Sequence, residues 1–174
     1  MTYPIGGQYA AGVRTEIDSD VPSSERSVAF MIEPDTIKLL RECDAGVEMG
    51  ISSINDVLDS VQADDLRQCL TVCMAEHEKL EHEITHLLDD YHDEGKEPNP
   101  MAKGMSWIKT NVTLAVGESD AAIANLITDG CNMGVKSLNR YLNQYKAADE
   151  QSKDIAKRLS RLEEDLVVDI RRYL

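Results

Sequence analysis

The amino-acid sequence predicts an all-α fold, a four-helix bundle with a short crossover helix between the second and third long helices. Hydrophobic residues make up 42% of the 174 residues, but aromatic residues only 5%. The core must therefore be built from Leu, Ile, Val, Ala and Met, which helices accommodate more readily than sheets. The apolar residues also recur at alternating spacings of three and four, which is the period of a helix with one buried face.

The first two long helices are predicted to form an antiparallel pair. Residues 1–33 are rich in Gly, Pro and Ser and have no apolar period, so they are expected to form a flexible arm before a bundle of residues 34–174. The turn near Gln62 is too short for any arrangement other than an antiparallel one. The apolar stripe of the first helix contains Ile37, Leu40, Val47, Ile51, Ile54, Leu58 and Val61. The stripe of the second, which should end near Gly95, contains Leu66, Leu70, Cys73, His77, Leu80, Ile84, Leu87 and Tyr91.

The segment between the second and third long helices decides the predicted topology. A short apolar stripe runs from Met101 to Val116, and Ser119 is a suitable cap for the third long helix. A helix of that length can carry the chain back along the bundle, so the third long helix should run parallel to the second. Asp149 is expected to open the fourth long helix, which continues to the C-terminus.

The charge balance excludes two classes of partner. With 18 Lys and Arg against 32 Asp and Glu, the formal net charge is -14 and the pI is near 4.6. Such a chain repels phosphate backbones and anionic lipid, so nucleic acid and membrane surfaces are not expected partners. No apolar run reaches the roughly 18–20 residues of a membrane span, and we expect a cytoplasmic protein. Four cysteines without a paired motif are typical of a reducing compartment.

Two stretches carry a resemblance to a known family. The first is Asp44-Ala45-Gly46-Val47-Glu48, and the second is Gly104-Met105-Ser106-Trp107-Ile108-Lys109. With the predicted order of helices over Asp35–Leu174, the chain resembles the ferritin-like superfamily, most closely its small bacterial branch of rubrerythrin-like bundle proteins. The resemblance implies iron or another divalent metal in the bundle core. Active members hold a di-iron centre by one Glu from each of two helices and a Glu-x-x-His from each of the other two.

Helix pairing predicts which polar residues share a level of the bundle. If the chain turns near Gln62, facing positions of the first two helices have numbers that sum to about 125. Glu48 should then approach His77, and Asp44 should lie near Glu81. We therefore expect Glu48, His77 and Glu81 to be the metal ligands, with Asp44 and Asp169 as outer or alternative ligands.

The ligand types favour a degenerate centre. Cys131 stands near the level where the family has a carboxylate, and a thiolate suits zinc better than an oxygen-reactive iron pair. The fourth helix has no histidine and supplies only Asp165, Asp169 or Glu163 near that level. Glu83 and His86 form a Glu-x-x-His that faces solvent. We expect at most one tightly bound ion of iron or zinc, with residual ferroxidase or peroxide chemistry as the upper limit.

A metal-free interpretation stands beside the metal site. Buried Asp44, Glu48, His77 and Glu81 can instead form a hydrogen-bonded network that fixes the register of the helices, because buried charges persist only when they are paired. The protein would then be a structural or protein-binding bundle. In either case a homodimer is expected, through the exposed apolar side of the crossover at Trp107 and Leu114.

Overall fold

Four long helices packed as a bundle make up the computed structural model, which describes residues 34–91, 93 and 119–174. They are α1 (Pro34–Leu58), α2 (Asp64–Asp90), α3 (Asp120–Gln144) and α4 (Glu150–Ile170), and a 3-10 turn at Arg171–Tyr173 follows α4. The chain divides into two units, Met1–Met31 and Ile32–Leu174, and all of these helices belong to the second.

The predicted all-α bundle of four long helices is confirmed. The first helix begins at Pro34 as expected, since proline suits the first helical position. The second was expected to continue to about Gly95, but α2 ends at Asp90. The predicted arm, the crossover helix and its proposed dimer surface lie outside the described residues. None of the helices in the described part of the chain is both long and apolar enough to cross a membrane.

Hydrogen bonds at one end of the bundle show that α2 and α3 begin together. The backbone N–H groups of Gln62 and Ala63 donate to the carboxylate of Asp120 at 2.8 and 2.9 Å. Gln62 and Ala63 directly precede the first residue of α2, and Asp120 is the first residue of α3. The guanidinium of Arg67 donates to the carbonyl of Leu58 at 2.6 Å and so closes the end of α1.

Asp149 joins three helices at the opposite end. Its side chain accepts the N–H of Ser152 at 2.7 Å, which caps α4. The same carboxylate accepts the hydroxyl of Tyr91 at 2.9 Å, and its own N–H donates to Thr36 Oγ1 at 2.9 Å. The end of α2 therefore lies beside the starts of α1 and α4. Since α2 and α3 also begin at one end, they run parallel, which confirms the predicted direction of the third long helix.

The buried apolar residues form two clusters, one toward each end of the bundle. The Asp149 end holds Leu39, Leu40, Cys43, Val47, Leu80, Ile84, Leu87, Leu138, Tyr145, Ala148, Ile155, Ala156 and Leu159. The Asp120 end holds Ile54, Val57, Val61, Leu66, Leu70, Cys73, Ile123, Ile127, Leu166 and Ile170. Each of the four helices contributes residues to both clusters, and on each helix a stretch without cluster residues separates the two sets.

Candidate functional site

A polar layer separates the two apolar clusters. Between its two sets of cluster residues, α1 carries Gly50, α2 carries His77, α3 carries Gly134 and α4 carries Glu163. We call these four residues the central layer. His77 and Glu163 are only 2% and 7% exposed, so two ionisable side chains lie in the middle of the bundle.

The two glycines make room for the two polar side chains. A Cβ atom on Gly50 would lie 2.7 Å from His77 Nε2, and a Cβ atom on Gly134 would overlap Glu163 Oε2 at a still shorter distance. Both distances are too short for any real side chain. The backbone of α1 is therefore in close contact with the imidazole, and the backbone of α3 with the carboxyl group.

A cavity of about 240 Å³ lies beside the central layer. Residues of α1 and α3 form its walls, while His77, Glu163 and Leu166 form its floor. One of its lining residues, Met133, is 48% exposed. The walls consist of Glu42, Ala45, Gly46, Met49, Gly50, Ser53 and Ile54 of α1, and Leu126, Ile127, Gly130, Cys131, Met133, Gly134, Ser137, Leu138 and Tyr141 of α3.

The imidazole of His77 is neutral and presents an acceptor. Its Nδ1 lies 2.9 Å from the carbonyl oxygen of Cys73, so Nδ1 carries the proton and donates to that oxygen. Burial lowers the pKa of His77, against the opposing effect of this bond. The other nitrogen, Nε2, is buried and has no hydrogen-bond partner among the described residues. Its lone pair is therefore unused, on a residue that forms the floor of the cavity.

Glu163 is held protonated at neutral pH. Burial raises the pKa of its carboxyl group from 4.5 to about 8, while a contact with the backbone of Val135 acts in the opposite direction. Its Oε2 is also buried without a hydrogen-bond partner in the described part of the chain. Buried polar atoms of this kind are rare in native proteins and call for an explanation such as a ligand or a catalytic role.

Two thiols lie near these groups. Cys73 Sγ is 3.6 Å from His77 Nδ1, and Cys131 lines the cavity. Burial is the main cause of the raised pKa of both thiols, to about 12 for Cys73, and the charge of Glu163 contributes to both. All four cysteines are free. These thiols stay protonated and pack as small apolar groups.

The predicted acidic ligands form a separate group. Burial and the charges of Glu48 and Glu81 raise the pKa of Asp44 to about 6, and burial and Glu81 raise that of Glu48. Asp44 therefore lies near Glu81, as the pairing of the helices predicted. All three side chains are partly exposed, at the seam between α1 and α2.

The structure does not place His77 with this acidic group. The burial of His77 was predicted and is confirmed, but its ring lies against Gly50, two positions beyond Glu48. On a helix two positions amount to rather more than half a turn, so Glu48 points away from the imidazole. Asp169 is exposed. Within the described ranges no three His, Cys, Asp or Glu side chains are placed to hold a metal ion together.

Glu163 is the residue that the sequence interpretation undervalued. It follows Leu159 by four positions and precedes Leu166 by three, so it occupies a place in the buried stripe of α4. An ionisable residue within an apolar stripe indicates a buried polar group, and this pattern was visible in the sequence. His77 occupies the equivalent kind of position in the stripe of α2.

Comparison of the chain with protein-family models, with curated proteins and with solved structures gives no match. The functional interpretation therefore depends on the central layer and its cavity.

Proposed function

We propose that this helical bundle binds a small, mainly apolar molecule in the cavity between α1 and α3. The observation that carries the proposal is the floor of the cavity, where His77 Nε2 and Glu163 Oε2 are both buried and have no partner among the described residues. Binding pockets commonly have this composition, an apolar lining with a few polar groups that orient the ligand.

The size of the cavity suits a ligand of one or two rings. An engineered protein cavity of about 150 Å³ holds benzene, and this one measures about 240 Å³. Four glycines line the walls in two pairs spaced by four residues, Gly46 with Gly50 and Gly130 with Gly134. The absence of side chains at these positions keeps the space between the two helices open.

A substitution that fills the cavity tests the proposal. A Cβ atom on Gly130 would meet no atom within 4 Å, so Gly130→Leu should occupy the space without a clash. Asn132→Leu adds the same side chain to an exposed position of α3 that does not line the cavity. In a ligand-detected NMR screen of small aromatic molecules, we expect hits with the unmodified chain and Asn132→Leu but not with Gly130→Leu. Equal binding to all three would refute the proposed site.

A divalent metal ion is the second candidate ligand, and a ferritin-like relationship is proposed with it. The parallel direction of α2 and α3 supports the relationship, since a crossover connection is found in ferritin-like bundles. The neutral Nε2 of His77 is a suitable nitrogen ligand for iron or zinc. The test is metal content after expression without a histidine tag in medium with added iron and zinc. One ion per chain that is lost in His77→Ala would support this candidate, and an ion retained in that variant would refute it.

A further inference from the structure

The side chains that line the cavity are acidic or uncharged. Among the described residues that line it, the carboxyl groups are those of Glu42 and Glu163, and none of the lining residues is Lys or Arg. The chain as a whole carries a formal charge of -14. The surrounding potential therefore attracts cations toward the cavity and repels anions.

The floor of the cavity presents acceptors. His77 donates through Nδ1 to Cys73, which leaves Nε2 with a lone pair. Glu163 Oε2 is a second atom without a partner among the described residues. The carboxyl group is protonated in the free chain at neutral pH, and a bound positive charge would favour loss of that proton and leave a carboxylate that accepts but cannot donate. A buried carboxylate is costly unless it is paired with a positive charge. A ligand that brings several N–H donors and a positive charge would satisfy both atoms.

From this arrangement we infer that the ligand is an organic ammonium ion with an apolar body, whose N–H groups donate to His77 Nε2 and Glu163 Oε2. The inference rests on the proposed function, because it concerns the ligand of that same cavity. The apolar body would lie along the walls, which are formed mainly by aliphatic side chains and glycine.

Three probes of matched shape separate the classes of ligand. They are 1-naphthylmethylamine, 1-naphthalenemethanol and 1-naphthoic acid, which are a cation, a neutral molecule and an anion at neutral pH. Their affinities for the 174-residue chain would be measured by isothermal titration calorimetry at fixed salt. We expect the amine to bind at least about tenfold more tightly than the alcohol, because hydrogen bonds to charged groups are stronger than neutral ones. The acid should bind more weakly than both.

Glu163→Gln provides the matched variant, since it keeps the shape of the side chain and removes the group that can ionise against a bound cation. The amine should lose its advantage over the alcohol in this variant, while the affinity of the alcohol changes little. An amine that binds no better than the alcohol to the unmodified chain overturns the inference and leaves the cavity as a site for neutral molecules. If none of the three probes binds, both the inference and the proposed function are refuted. The comparison on the unmodified chain does not require the variant to fold.

Discussion

The closest contact in the central layer leads to a sharp prediction about two glycines of one helix. Gly130 and Gly134 both lie in α3 and both line the cavity. Replacing glycine by alanine inside a helix stabilises the fold by about 0.8–1 kcal/mol when the new methyl group meets nothing. A Cβ atom on Gly130 has no neighbour within 4 Å. Gly130→Ala should therefore raise the free energy of unfolding by about 1 kcal/mol.

Gly134→Ala brings the same gain in helix propensity together with a clash. Its methyl group would overlap Glu163 Oε2 and would lie 2.6 Å from the carboxyl carbon. The carboxyl group must withdraw to reach the 3.4 Å at which ordinary van der Waals contact begins. Overpacking of a buried site costs about 1–3 kcal/mol. Gly134→Ala should therefore be less stable than Gly130→Ala by that amount, with a net effect between neutral and about 2 kcal/mol of destabilisation.

Urea unfolding followed by far-ultraviolet circular dichroism measures both variants. A double-mutant cycle with Glu163→Ala isolates the contact, because removal of the carboxyl group should allow Gly134→Ala to regain the full stabilisation of about 1 kcal/mol. Gly130→Ala should have the same effect whether or not Glu163 is present. If Gly134→Ala stabilises the unmodified chain as much as Gly130→Ala does, the close approach of Glu163 to α3 is wrong.

Three further predictions concern the polar layer and the end of the bundle. The folded-state pKa of Glu163 is about 8, above its ordinary value of 4.5, so its contribution to stability is fully present below pH 4.5 and is lost as the pH rises to about 8. In thermal unfolding across this pH range, Glu163→Gln should remove that decline. An unchanged pH profile in the variant would contradict the raised pKa of Glu163. Gly50→Ala should be destabilising relative to Gly46→Ala in urea unfolding, because its methyl group would meet the ring of His77 whereas the other makes only an ordinary contact at 3.6 Å. Asp149→Ala should lower the free energy of unfolding by about 1–2 kcal/mol through loss of the cap of α4, and a change below 0.5 kcal/mol in the same assay would show that water replaces the carboxylate.

The helices and their directions were accessible from the sequence because they depend on local chemistry. A period of three and four identifies a buried face, and Pro34 and Asp149 mark helix starts wherever they are placed. A short turn near Gln62 leaves only an antiparallel pair. The burial of His77 follows from its place in an apolar stripe, and the exposure of His86 follows from its place outside that stripe.

The composition of the candidate site was accessible only in part. Counting along antiparallel helices placed Asp44 near Glu81 correctly, but it paired His77 with Glu48, whereas the ring lies against Gly50. An error of two positions changes the level by only about 3 Å but turns a side chain through more than half of the helix circumference. The height of a residue along the bundle axis can therefore be predicted from its number, but the direction in which its side chain points cannot.

The sequence by itself determined an acidic, all-α chain whose apolar stripes must pack into a bundle, because periodicity and charge are properties of the chain alone. Only the tertiary structure decided that Gly50 faces His77 and that Gly134 faces Glu163. The two residues of each pair lie on different helices. Their contact depends on the rotation of each of the four helices about its own axis, which the packing of all four together decides. The same rotation leaves the cavity between α1 and α3 and places His77 and Glu163, each with an unpartnered polar atom, at its floor.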